Sequence, residues 1–429
     1  LSATAATLPT VASSRRVALG LLLAAYTLSF VDRQIVGVLL EPIKSEFALS
    51  DTQLGFLSGT AFALFYATLG IPVAWLSDRG NRKRIILWSL GIWSAMTAVC
   101  GFAQSFTQLV IARIGVGIGE AGSSPPSHSI IADLYPREER SGAMGILGLG
   151  AYIGSALGIF VGGLVAQEYG WRAAMLVAGL PGLVLVIVIK FALQEPPRRA
   201  TEARTSVAGD RASVWDGFRA VAASPAMCHL IAGITLLSFI SYGKAQWTVS
   251  FVVRSYGLDI GAASLLVAPV TLVAAGGGAL LGGWLADRFG RRDPRYCAWV
   301  ILISQLVAMP FLLAWYFASD LRLGVTFWIF SSVLANFFLG PTFAMIQSLA
   351  PVRQRATVAA IMLFVVNLIG LGLGPQLVGI ASDLLAPRFG AESLRYALAA
   401  ASLVGVWGAY HYWRGGVHYA REIAVPSGD

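Results

Sequence analysis

The chain has 429 residues and a formal net charge of +9, yet only 12% of its residues are charged while 56% are hydrophobic. A soluble domain carries about a quarter charged residues, so this composition excludes a water-soluble globule. Cys100, Cys228 and Cys297 lie in or beside apolar stretches at no paired spacing, which excludes a disulfide framework and a cysteine metal motif. Apolar runs of about twenty residues, enough to cross a bilayer, are predicted at 17–40, 53–76, 84–103, 107–131, 141–166 and 172–193. Six more are predicted at 226–252, 260–286, 296–317, 323–349, 356–386 and 393–412. The expected fold is an all-α membrane protein of twelve transmembrane helices in two six-helix halves, 1–193 and 226–429, joined by a linker at 194–225.

The first span carries Asp32 and Arg33 and is followed by no small-residue cleavage site, so it reads as a retained helix and not as a secretory signal. The second closes on Asp78-Arg79-Gly80-Asn81-Arg82-Lys83. A related loop, Asp287-Arg288-Phe289-Gly290-Arg291-Arg292, closes the eighth span 209 positions later (287 minus 78). A charged motif repeated at half the chain length inside apolar sequence points to two repeated halves, the architecture of secondary transporters. In the fourth span Arg113, Gly117 and Glu120 follow an i, i+4, i+7 spacing that places them on one helix face, with the two charges about 10 Å apart along the axis. His128, later in that span, reads as a packing histidine before a proton relay.

Small residues recur in the fifth span (Gly154, Gly158, Gly162, Gly163) and the eleventh (Gly370, Gly374, Pro375, Gly379), where they allow close helix approach and rocking contacts. In the linker, Val214, Trp215, Phe218 and Val221 recur opposite Arg211, Asp216 and Arg219, the pattern of a short helix at the membrane interface or packed on the bundle floor. Asn336 and Asn367 read as interhelical hydrogen-bonding groups before substrate contacts. Tyr26, Phe30, Phe65, Tyr66, Tyr242 and Trp247 are candidate walls of an apolar pocket, or ordinary packing.

The +9 charge is a matter of topology. Of the 31 Lys and Arg, 22 fall on the side that holds both termini and the linker, six on the other side and three within spans. The positive-inside rule puts the richer side in the cytoplasm, with no nucleic-acid partner implied. Short outer loops and the absence of a glycosylation sequon fit a bacterial inner membrane.

An ionised group at mid-bilayer costs at least about 2.5 to 3.5 kcal/mol by insertion scales, so those that persist face a cavity or a partner. Five do: Asp32, Arg33, Arg113, Glu120 and Lys244. Asp32 and Glu120 are the expected proton-sensitive groups, because a carboxyl shifts with both hydration and a neighbouring cation. Arg33 and Arg113 are their expected partners and contacts for a phosphate or carboxylate. The alternative is that these are fixed ion pairs setting helix register. Lys244 has three readings: attraction of a head group, neutralisation of Asp32 across the halves, or snorkelling toward the outer surface.

The paired Asp-Arg loops, the Arg113-Ile114-Gly115-Val116-Gly117 run and the glycine ladder of the fifth span resemble the signature motifs of the major facilitator superfamily. That resemblance implies a latch in which Asp78, Arg79, Asp287 and Arg288 hold one arrangement closed. Ala74 and Asn81 depart from the usual glycines, and Ile159 stands where exporters of the family often have proline. Over the first half, Phe30-Val31-Asp32-Arg33, the loop at Asp78, Arg113 through Ala121, Ile131-Ala132-Asp133-Leu134 and Gln194-Glu195-Pro196-Pro197-Arg198 resemble the spinster family of lysolipid and sphingosine-phosphate transporters. This narrower resemblance implies an amphiphilic lipid substrate and coupling to protons, with no other cofactor. The expectation is therefore a monomeric alternating-access transporter of a lipid. A transporter of a soluble organic anion or amphiphilic drug is the first alternative, and a non-transporting lipid receptor or scaffold the second. No Ser/His/Asp cluster, metal-ligand spacing or phosphate-cradling loop suggests an enzyme.

Overall fold

The computed structural model describes residues 11–197, 214–351 and 354–424, and among these every regular element is helical. Eight stretches are long and apolar enough to cross a membrane; two of them, Glu138–Ala192 and Arg355–Ile423, each hold a pair of helices. Arg82–Cys100 and residues 106–134 complete twelve. These last two fall short on composition for a physical reason: one opens on Arg82, Lys83 and Arg84, and the other is broken by a turn and carries Arg113 and Glu120.

The helices are α1 (Val11–Val38), α2 (51–79), α3 (Arg82–Cys100), α4 (106–134), α5 (137–169) and α6 (171–192) in the first half. The second half holds α7 (Pro225–Tyr256), α8 (260–290), α9 (Arg295–Phe317), α10 (321–349), α11 (355–389) and α12 (393–423). Each predicted span falls on one of them, the last continuing past its expected end at Tyr412 to Ile423.

Polar caps start the helices where the apolar runs begin. Ser50 and Gln53 form a reciprocal capping box on α2, while Asn81, Ser105, Ser224, Asp259 and Asp320 each accept a backbone N–H at the start of α3, α4, α7, α8 and α10. Gly170, at φ 80°, separates α5 from α6, and Gly390, at φ 57°, separates α11 from α12; both lie in the left-handed region that glycine adopts without strain.

The two halves repeat even in their irregularities. A π-turn interrupts α2 at Phe56–Thr60 and another interrupts α8 at Thr271–Ala275, the second six residues further along in the register of 209 that relates the helix starts (260 minus 51). The first segment of α4 runs Phe106–Glu120 and that of α10 Leu321–Ala335, both bounds displaced by 215 (321 minus 106, 335 minus 120). Discontinuous helices at matching places in two halves are a hallmark of transporter folds.

The halves meet along α1 and α7, α2 and α11, and α5 and α8. On the face away from the termini, here called the far face, one hydrophobic core runs through both halves, joining Leu40, Ile43 and Leu54 to Trp247, Phe251 and Val378. Toward the terminal face the cores part. One holds Leu22, Ile86 and Ile130 of the first half, joined from the second by Leu371 and the partly buried Tyr242, and the other holds Met227, Ile346 and Tyr412. The contact at the far face is close: a Cβ on Gly379 of α11 would lie 2.2 Å from the Asp51 carbonyl oxygen, so only glycine permits this crossing.

The expected glycines divide between two roles. Gly154 and Gly158 face Thr27 and Val31 of α1, and Gly370 and Gly374 face Ser238 and Phe239 of α7, all within their own halves. They fix helix packing inside each half; Gly163 and Gly379 of the expected set, with Gly37, Gly55 and Gly59, are the ones that let the halves touch. Of the linker, residues 198–213, including Arg211, lie outside the described residues. Its second part is helical from Val214–Ala223, with Trp215 and Phe218 exposed and Gly217 set against Thr357 and Ile361 of α11.

Candidate functional site

Four of the five intramembrane charges come together between α1 and α4. Asp32, Arg33, Arg113 and Glu120 are at most 8% exposed. The Arg33 Nε donates to Glu120 Oε2 at 2.7 Å, and Ser29 Oγ, one turn back on α1, donates to the same oxygen at 2.8 Å. Arg113 Nη1 donates to the Asp32 carbonyl at 3.4 Å, while the Asp32 side chain lies beside Arg113 and Thr97. Asp32 Oδ1, Glu120 Oε1 and Arg113 Nε have no hydrogen-bond partner among the described residues.

Aromatic rings enclose the two guanidinium groups. Arg33 lies over Tyr66 at 4.3 Å, Phe30 at 5.0 Å and Phe62 at 5.3 Å, and Arg113 lies over the same Phe62 ring at 5.2 Å. Phe62 is thus a shared wall between two cations, stabilised by the negative face of its ring. Of the expected aromatic walls, Phe30 and Tyr66 touch the network; Trp247 is fully buried and donates to the Pro375 carbonyl at 2.9 Å, a packing role. His128 is exposed, and Asn336 donates to Ser332 of its own helix and not to a neighbour.

Lys244 does not join Asp32. It faces into the second half, in a cleft lined by Ser241, Gln305, Ala335 and Asn336. Neutralisation across the halves is therefore not what this arrangement shows. The α1–α7 crossing is tied instead by Gln246, whose amide donates to the Arg33 carbonyl at 3.2 Å.

Of the expected latch, Arg79 stacks on Trp75 at 3.9 Å and Arg288 on Trp284 at 5.7 Å; Asp287 and Arg288 are exposed. Among the described residues Arg79, Asp287 and Arg288 make no ion pair, and the side chain of Asp78 lies outside them. The loop's ion pairs run instead through Arg82, 1% exposed, which joins Asp133, donates to Glu195 Oε1 at 2.7 Å and donates to the Pro196 carbonyl at 2.7 Å. Three sequence segments that seemed unrelated, the loop after α2, the end of α4 and the start of the linker, thereby meet at one guanidinium.

Sequence reading missed the far-face connection between the halves. Arg254 of α7 forms a fork to Asp51, with contacts of 2.7 and 2.8 Å, and reaches Glu41 at 2.8 Å. Asp51 also accepts from Ser382 at 2.6 Å and pairs with Lys44 at 2.5 Å. Asp383 of α11 accepts the Asp51 and Thr52 backbone N–H groups at 3.0 and 2.7 Å, capping α2 from the other half. Loop charges near a membrane surface look like ordinary solvated residues, and only the folded pairing reveals them. Hydrogen bonds between the halves lie between this face and the level of Arg33 and Thr60.

A twelve-helix membrane protein of two repeated halves, bonded across one face and parted at the other around buried charges, is a secondary transporter and not an enzyme. The Major Facilitator Superfamily model matches residues 22–375, and the chain belongs to that family. It is 34% identical to an MFS-type efflux pump of Mycolicibacterium smegmatis, over 95% of this chain and 94% of the relative. It is 29% identical to protein spinster homolog 1 of Xenopus tropicalis, over 89% of this chain and 76% of the relative. Among solved structures, a bacterial homologue of the human lysosomal transporter spinster, inward-facing and unoccupied, superposes with a TM-score of 0.85 at 30% identity, covering 96% of this chain and 99% of that one.

Proposed function

We propose that this transporter moves an amphiphilic lipid of the lysophospholipid or sphingosine-phosphate type by proton-coupled alternating access, as a monomer in a bacterial inner membrane with both termini cytoplasmic. The observation that carries the coupling is the buried Arg33–Glu120 pair, with a second carboxylate, Asp32, beside Arg113 and free oxygens on both acids. Protonation of Glu120 removes the charge that holds Arg33, and protonation of Asp32 does the same for Arg113. Each event weakens the link between α1 and α4 and biases one orientation of the halves. Arg33 and Arg113, once released, present planar forks suited to an oxyanion.

The basic terminal face supports its assignment to the cytoplasm, which makes the present arrangement inward-facing, the state named for the solved spinster homologue. In the opposite arrangement the terminal face closes, and we assign its latch to the two loops that carry Asp78, Arg79, Asp287 and Arg288. The lipid reading draws on the likeness to spinster proteins. The test is substrate-evoked proton movement: in proteoliposomes holding a pH-sensitive dye, lysophospholipid added to the parent protein is expected to change the lumenal pH. No change with any lysophospholipid or sphingoid phosphate, in vesicles that hold an imposed gradient, overturns the reading.

A further inference from the structure

The displacement of 215 positions that relates the first segments of α4 and α10 places Ala335 in the second half where the first half has Glu120 (335 minus 120). In the first half, Ser29 of α1 donates to Glu120 at the end of the first segment of α4. In the second half, Lys244 of α7 and Ala335, at the end of the first segment of α10, line one cleft. In the second half an alanine therefore stands where the first has the carboxylate, and among the described residues no acidic one lines the cleft that holds Lys244.

Among the described residues Lys244 makes no ion pair and its ammonium donates no hydrogen bond; only its carbonyl is engaged, by Thr248 at 2.7 Å. The first-half network holds two acids and two arginines, so its formal charge is zero, and Lys244 is the one uncompensated charge of the five. An ammonium inside a membrane bundle is costly unless an anion neutralises it. Polar groups surround it in the cleft: Ser241, Gln305, Asn336 and Ser402. Gln305 donates to the Ala335 carbonyl at 3.2 Å and Asn336 to that of Ser332 at 2.7 Å, which holds both amides in place and leaves each a second N–H.

We propose that Lys244, Gln305 and Asn336 form a subsite for the anionic end of the transported molecule, a carboxylate, sulfonate or phosphate. The ligand's oxyanion fills in the second half the role that Glu120 fills in the first. This rests on the transport reading and divides its labour: protons on α1 and α4, the anion on α7 and α10.

Binding is read at equilibrium on the purified full chain in nanodiscs, with no pH gradient, using lysophosphatidic acid, its uncharged monoacylglycerol analogue and a short-chain alkyl sulfonate. The parent is expected to bind an anionic probe at least tenfold more tightly than the uncharged one. Lys244→Gln loses that preference and Lys244→Arg keeps it. Ala335→Glu, which supplies the carboxylate internally, also abolishes it, with monodisperse elution confirming folded protein in each case. If the sulfonate binds and the lysolipid does not, the subsite stands and the ligand is a soluble anion. An anion preference that persists in Lys244→Gln, or is missing from the parent, overturns the proposal. Because no gradient is applied, failure of proton coupling leaves this result intact, and the reverse also holds.

Discussion

Glu120 accepts from two donors of one helix, Ser29 and Arg33, and keeps its other oxygen free. Which residues carry charge inside the membrane was legible, because a charge in lipid is expensive. Which partner each takes was not: sequence proximity suggests Asp32 with Arg33, yet adjacent helical residues point in different directions, and Arg33 turns to α4. Phe62, Ser29 and Arg82 went unnoticed because an aromatic, a serine and a loop arginine are unremarkable until the fold surrounds them. A separate prediction concerns pH and stability at the far-face loop. Glu46 accepts from Arg172 and Trp171, each at 2.6 Å, and those bonds, the arginine's first, hold its carboxyl below the usual 4.5. A carboxyl lowered in the folded state contributes stability above its unfolded value and loses it as pH falls through the folded one. Melting curves of the parent are therefore expected to decline more steeply below about pH 4.5 than those of Glu46→Gln; parallel curves would show that the pair adds nothing.

Helices are the scale at which the sequence spoke most clearly. Twenty-residue apolar runs have one solution in a bilayer, since every backbone polar group must be satisfied within the segment, and the predicted spans each landed on a helix. The breaks in α4 and α10 and the π-turns in α2 and α8 were not legible, since they replace hydrogen bonds without changing composition. At this scale Arg82 is the joint between α3, α4 and the linker. Arg82→Ala leaves Asp133 and Glu195 without that partner, and removal of one member of a buried ion pair costs about 3 to 5 kcal/mol. The expectation is a marked fall in the melting temperature of detergent-solubilised protein, with far less loss in Arg79→Ala, whose side chain rests on exposed Trp75. Equal losses in the two variants would mean that the loop has no such joint.

Across the whole molecule, one core spans both halves at the far face while two separate cores lie toward the termini. The repeat made the two halves predictable; the orientation they adopt was not, because a single sequence serves both arrangements of an alternating-access cycle and their difference is a matter of interface pairs. Arg254 is the group that ties the far face most heavily, through Asp51 and Glu41. Arg254→Ala is expected to shift the population toward opening at that face, seen as faster labelling of a cysteine placed at Ser382 or as longer spin-label distances between α2 and α11. Unchanged distances would show that apolar packing alone closes it.

The most direct measurement is exchange of a labelled lysophospholipid in proteoliposomes as a function of pH, comparing the parent with Asp32→Asn and Glu120→Gln. Exchange by the parent is expected to vary with pH, and that variation to be lost in at least one variant that remains folded. Exchange that is pH-dependent to the same degree in both variants would contradict the assignment of the proton to these carboxylates, and absence of lysophospholipid exchange by the parent would contradict the lipid reading itself.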